Sequence, residues 1–307
     1  MYITDAVKKI LANYESDNPG VKTNLARIMM AGELAGTGKL IILPVDQGFE
    51  HGPDASFSPN PDAYDPDYHF SLAIEAGLSA YAAPFGMLEA GASKFAGQIP
   101  TILKMNSSNY LLGKNKAPDQ AVTASVKDAL RLGCSGIGFT IYPGSDASLD
   151  MMEEIRSIAE EAKSYGLAVV IWSYARGGII SKEGETSLDV IAYAAHMAAL
   201  LGAHIIKVKP PIARAELENT KKAFPDDSVE KLSQAEMIKH VVRSCFNGKR
   251  IVVFSGGASK SIQEVLNETK AIKDGGGNGS IIGRNSFQRP RNEALTLLKD
   301  MIAIYKS

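Results

Sequence analysis

Short apolar runs rich in β-branched residues recur along this chain, each closing on polar or glycine-containing turns. Between them lie longer stretches in which apolar residues return every three or four positions. The first pattern predicts strands and the second amphipathic helices. Strands are predicted over 40–46, 80–84, 101–106, 136–142, 168–174, 204–209, 251–256 and 280–284, with helices that include 119–132, 150–165, 187–201 and 259–273. Runs such as IILPV and IVVF are apolar throughout, which suits strands covered on both faces of a parallel sheet. Eight strand–helix units close most simply into an α/β fold, the (β/α)8 or TIM barrel. No GxGxxG follows the first strand, which argues against a doubly wound dinucleotide-binding sheet.

Residues 1–38 read as a helical extension packed on the barrel, closing its bottom or joining subunits, and residues 39–307 as the catalytic barrel. Residues 56–68, with repeated Pro, Asp and Tyr, read as a long loop over the mouth after the first strand. The glycines at Gly275, Gly276, Gly277 and Gly279 precede the last strand, at the opposite end, where they end a helix and carry no chemistry.

The bulk numbers narrow the function. A formal charge of −1 with scattered basic residues makes no field for a nucleic acid. Cys134 and Cys245 lie far apart with no CxxC, so buried free thiols are expected rather than a disulfide or zinc site. No run reaches the ~18 apolar residues of a membrane span and none near the start suits a signal peptide, so a cytoplasmic protein is expected. The histidines His51, His69, His196, His204 and His240 form no HExxH, and neither metal nor cofactor is expected. His204 falls on the outward face of its strand, His196 and His240 fall in helices, and His51 alone falls beside the predicted mouth.

Barrel enzymes build their sites at the C-terminal ends of strands. In HIIKVKPP, Lys207 and Lys209 share one face and Ile206 and Val208 the other. If the apolar pair meets the helices, both lysines point inward, and alternation does not choose between them. Burying an ammonium is costly without partners or a function. In IWSYARGG, Trp172, Tyr174 and Arg176 share a face; TILKMN adds Lys104 and Asn106, and the first strand ends at Asp46. Each alone has a plainer reading: a helix cap for Asp46, core for Tyr174, a solvated loop for Arg176. Their convergence favours a site. The last strands end in FSGGASK and IIGRNSF, placing Gly256, Gly257, Gly283 and Arg284, with the Ser255 hydroxyl, where barrels of this kind bind phosphate.

The strings PVDQGFEHGP, GFTIYPGS, VIWSYARGG, IIKVK, SGG and GRNSFQRP, in this order over about residues 40–290, resemble the archaeal-type class I fructose-bisphosphate aldolases of the DhnA group of Schiff-base barrel enzymes. The resemblance implies a metal-independent lyase that reversibly cleaves fructose 1,6-bisphosphate to dihydroxyacetone phosphate and glyceraldehyde 3-phosphate in glycolysis and gluconeogenesis. It implies Lys207 as the Schiff-base lysine, with Lys209 or Lys104 as a neighbouring charge that lowers its pKa. Tyr174 becomes the acid/base, Asp46 the active-site aspartate, and Trp172, Arg176, His51, Lys104 and Lys209 the substrate-binding set. Gln47 stands where relatives such as the archaeal enzymes have histidine, Ala175 where some have proline, and His204 where an acidic residue is common. The segment 210–235 is longer and more charged than the pattern suggests. The partner implied is a sugar phosphate, with no nucleic acid or membrane, and the chain is expected to form a homo-oligomer. A thiolase of a phosphorylated pentanedione, a transaldolase-like synthase and a noncatalytic sugar-phosphate-binding barrel are the alternatives.

Overall fold

The computed structural model describes residues 2–113, 116–222, 224, 228–255 and 260–307. Eight parallel strands close into a barrel: β1 (Leu40–Pro44), β2 (Ala80–Pro84), β3 (Thr101–Lys104), β4 (Gly136–Ile141), β5 (Ala168–Ser173), β6 (Ile205–Val208), β7 (Ile251–Phe254) and β8 (Gly279–Ile281). Each pairs with its neighbours in sequence, and β8 returns to β1 with Ile42 opposite Ile281. Several strands stop short of the predicted ends, so that Asp46, Tyr174 and Lys209 lie just past the strand ends. There the backbone leaves the sheet and the side chains reach the mouth.

Alternation sorts the strand residues into two cores. Ile41, Leu43, Ile137, Phe139, Val169, Ile171, Ile206, Val208, Val252 and Phe254 pack outward against the helices. Ile42, Ala80, Ile102, Val170, Trp172, Ile205 and Val253 fill the interior. Burying a large apolar side chain in either layer stabilises by about 1.5–3 kcal/mol. Gly279 has φ +147°, and a Cβ there would lie 1.9 Å from the Leu40 carbonyl oxygen. Only glycine allows β8 to approach β1 this closely.

The chain ahead of the barrel forms α1 (Asp5–Leu11) and α2 (Pro19–Met29). Their buried Val7, Val21, Leu25, Ile28 and Met29 join the interior core from below. The Tyr14 hydroxyl donates to the His204 carbonyl at 2.7 Å and accepts from the Ile251 N–H at 3.2 Å, tying this extension to β6 and β7. His204 is buried, with Nδ1 accepting from the Val169 N–H at 2.8 Å and Nε2 3.2 Å from Asp17.

Helix starts follow side-chain capping. Reciprocal Ser–acid boxes open Val126–Arg131, Gln234–Ser244 and Ile262–Asp274 through Ser125 with Asp128, Ser233 with Glu236 and Ser261 with Glu264. The helix predicted over 119–132 is therefore shorter. Ahead of its cap, Ala121–Val122 pairs antiparallel with Asn106–Ser107 in a small ribbon, which draws those residues out of helical geometry. Residues 56–68 are also less loop-like than expected. Prolines at helix starts set Pro53–Phe57, the 3-10 turn Pro61–Tyr64 and Pro66–Glu75.

Candidate active site

The mouth at the C-terminal ends of the strands holds a cavity of about 180 Å³, lined by Asp46, Gln47, Glu50, His51, Tyr174, Arg176, Lys207, Lys209, Ser255, Gly283, Arg284 and Asn285, with apolar wall from Pro44, Ile281 and Ile282. A wider outer chamber of about 680 Å³ adjoins it and shares Glu50, His51 and Arg176. Ser108, Asn109, Tyr110, Lys116 and Asp119 line that chamber. Two carboxylates, Asp46 and Glu50, face four cations, Arg176, Lys207, Lys209 and Arg284, in this lining, so charge compensation shapes its chemistry.

Lys207 sits at the inner end. Its strand register places it beside Trp172 and Val253. Because Ile206 and Val208 pack on the helices, its amine faces the interior, where only 5% of the residue is exposed. The ammonium lies 5.7 Å from the Trp172 ring centre and 5.4 Å from that of Tyr174. Burial disfavours its charge and lowers its pKa to about 8, against the opposing pull of Asp46 and Glu50; the Arg284 charge lowers it further. Lys209 also reaches the cavity, but pairs with Glu185 at 3.7 Å. The cation that bears most on Lys207 is Arg284, whereas the sequence reading names Lys209 or Lys104.

Trp172 lies beside Lys207, outside the cavity lining. A Cβ on Gly138 would fall 2.0 Å from the indole, so the adjacent strand must carry glycine for the ring to lie flat there. Lys104 is 1% exposed and 6.0 Å from the Trp172 ring centre. Lys104 Nζ donates to the Asn106 carbonyl and to its side-chain oxygen and lies 4.0 Å from Asp46 Oδ2. Asn106 is fixed in turn by Thr140, whose N–H it accepts at 2.7 Å and whose carbonyl it donates to at 2.8 Å. Lys104 and Trp172 therefore stand behind the cavity wall rather than in it. Burial lowers the Lys104 pKa as well.

Asp46 occupies the N-cap position of α3 (Gln47–His51), yet its side chain accepts no helix N–H. Its carboxylate faces Lys104 and the cavity, which separates it from an ordinary cap. Tyr174 has its phenol buried, and burial together with the Asp46 and Glu50 charges pushes its pKa far above the usual value, although the Ser255 hydroxyl hydrogen-bonds to it. At neutral pH the phenol holds its proton. Arg176 stacks over Tyr142 at 4.9 Å and Tyr174 at 5.8 Å between the two chambers. His51 stands at the same junction, largely exposed, its pKa lowered by partial burial and by Arg284.

Ser255, Gly283 and Arg284 line the inner cavity; Gly256 and Gly257 lie outside the described residues. Sequence reasoning gave no site role to Gln47, Glu50 or Asn285, all of which line the cavity. Burial and the neighbouring Asp46 charge raise the Glu50 pKa. It follows Asp46 by one helical turn, and that four-residue spacing is the signal that finds it. Among the described residues no group of three acidic, histidine or cysteine side chains is arranged to hold a metal ion, and no helix is long and apolar enough to cross a membrane.

The site has relatives. Residues 40–289 match the model of the DeoC/LacD family aldolases. The probable class 1 fructose-bisphosphate aldolase of Chlamydia trachomatis is 36% identical over 98% of this chain and 88% of its own. The class 1 fructose-bisphosphate aldolase of Thermoproteus tenax is 36% identical over 82% of this chain and 84% of its own. An archaeal fructose-1,6-bisphosphate aldolase, solved with its catalytic lysine bound covalently to the carbinolamine intermediate, superposes with a TM-score of 0.75 at 29% identity, over 99% of this chain and all of that one. On the family match and these identities, this chain belongs to the DeoC/LacD aldolase family, among the class I fructose-bisphosphate aldolases.

Proposed function

We propose that this protein is a metal-independent Schiff-base aldolase that reversibly cleaves fructose 1,6-bisphosphate to dihydroxyacetone phosphate and glyceraldehyde 3-phosphate, with Lys207 as nucleophile. The observation that carries the assignment is one amine enclosed between an indole and a phenol with its pKa brought down to about 8. Near neutral pH a useful fraction of such an amine is uncharged and nucleophilic.

The neutral amine adds to the C2 ketone and gives a carbinolamine. Loss of its hydroxyl as water needs a proton. Tyr174 supplies it and becomes a phenolate, stabilised by the new iminium charge on Lys207. The phenolate then takes the C4 hydroxyl proton as the C3–C4 bond breaks, its electron pair flowing into the iminium to form an enamine. Glyceraldehyde 3-phosphate departs. The same phenol protonates C3 of the enamine, water adds to the iminium with its proton returning to the phenolate, and collapse of the carbinolamine releases dihydroxyacetone phosphate and the neutral amine. One buried phenol thus carries a proton back and forth while the net charge at the site changes little. Glu50, held more strongly protonated than an ordinary carboxyl, is a second proton source for dehydration. Ser255, Gly283 and Arg284 receive the ketose phosphate end, and Arg176, His51 and the outer chamber receive the aldehyde half. Trp172 packs beside the Lys207 chain, while Lys104 holds Asp46 in place.

The same reading makes the chain a cytoplasmic enzyme of glycolysis and gluconeogenesis acting as a homo-oligomer. Tyr193 and Leu200, exposed on the helix Leu188–Leu200, offer an apolar face for subunit contact.

Assayed without added metal, the protein is expected to release both trioses from fructose 1,6-bisphosphate; imine formation with no triose product would assign it a different Schiff-base reaction. The electrostatics also give a signed expectation. The Asp46 carboxylate raises the Lys207 pKa against burial. Asp46→Asn should move the acid limb of imine formation to lower pH than the value of about 8 set by Lys207 in the wild type. A limb that stays in place or moves upward in a pH series of single-turnover imine formation would contradict this placement of charge.

A further inference from the structure

The Gln47 side chain opens α3 at the edge of the inner cavity and is 9% exposed. Its backbone is held, since the Ser56 hydroxyl donates to the Gln47 carbonyl at 3.0 Å. The amide is also packed: a Cβ on Gly283 would lie 3.0 Å from Gln47 Nε2 and 2.8 Å from the Pro44 carbonyl oxygen. Glycine at 283 therefore leaves the space that this amide occupies. Yet Gln47 Oε1 is buried with no hydrogen-bond partner. Buried polar atoms are nearly always satisfied, so an unpartnered amide oxygen at the cavity edge calls for a partner, and the cavity is where one can enter.

We propose that Gln47 is a specificity-determining residue whose side-chain amide hydrogen-bonds the phosphorylated end of the ketose, an inference that rests on the sugar-phosphate reading above. Gln47 shares the cavity wall with Gly283 and Arg284, whereas Glu50, His51 and Arg176 lead away to the outer chamber. An amide presents a donor and an acceptor on one carbon. It meets both a phosphate oxygen, through its N–H, and the adjoining ketose hydroxyl, through its oxygen. It is also uncharged at every working pH. A histidine at this position, as the resemblance gives for relatives, would bring a titrating charge to the same contact.

The test compares the wild type with Gln47→Leu, which keeps length and removes both polar atoms, and with Gln47→His. Fructose 1,6-bisphosphate and fructose 1-phosphate are the substrates, and inorganic phosphate is a binding probe that needs no turnover. Gln47→Leu should raise KM for both sugars and the phosphate Kd by about ten- to a hundredfold, with kcat changed much less. Gln47→His should restore binding at low pH and lose it as pH rises through the imidazole range, a dependence that the wild-type ratio lacks. Values of KM and phosphate Kd within twofold of wild type in Gln47→Leu overturn the proposal. So does a collapse of kcat at unchanged KM, which would mark disturbance of the Lys207 surroundings. Wild-type protein that binds phosphate but cleaves neither sugar overturns the substrate assignment instead, and the phosphate Kd of Gln47→Leu still decides the role of Gln47.

Discussion

Lys207→Met is expected to abolish cleavage of fructose 1,6-bisphosphate, lowering kcat/KM by at least about ten-thousandfold, while leaving the fold intact. The first part follows from the chemistry: without the amine there is no iminium to accept the electron pair of the C3–C4 bond. The second follows from the surroundings. Lys207 is almost fully buried among Trp172, Tyr174 and Val253, and its ammonium is disfavoured by burial and by Arg284. Replacing a strained buried charge with an apolar chain of similar length is commonly neutral or stabilising. The melting temperature should therefore hold or rise while turnover vanishes, and the two are read on the same preparation. Turnover within about a hundredfold of wild type would remove Lys207 from its role.

Tyr174→Phe should slow cleavage by roughly 10²–10⁴-fold yet still allow the imine to accumulate. The substitution removes one oxygen from a buried position whose hydroxyl is bonded to Ser255, so the packing survives. What is lost is the group that takes the C4 proton. Dehydration of the carbinolamine retains a second acid in Glu50. Trapped imine per active site should then stay high while product formation falls; near-normal turnover would show that another group carries the proton.

Much of this geometry is legible in the sequence because strand alternation is a period of two. The pattern Ile206–Lys207–Val208–Lys209 states which side chains meet the helices, and the eight apolar runs state that the sheet closes. Face is not depth, however. Lys104 and Trp172 share the inward face but do not line the cavity, because Gly138 admits the indole and Asn106 holds the Lys104 amine. Parity alone also left Lys207 and Lys209 equal; a through-space partner, Glu185, separates them, and no local pattern announces it. Gln47 and Glu50 were missed for a related reason. They lie on α3, beyond the strand end on which attention falls, and belong to the site only because Asp46 starts that helix without capping it. The short helices over residues 56–68 escaped because a segment dense in Pro and Asp reads as loop when Pro at a helix start is overlooked.

The central claim is that Lys207 is the nucleophile. Borohydride reduction of the protein with fructose 1,6-bisphosphate, followed by peptide mass spectrometry, tests it most directly. A single reduced sugar-phosphate adduct on Lys207 is the predicted result. An adduct on Lys209 or Lys104, or none on any lysine while cleavage proceeds, would contradict it.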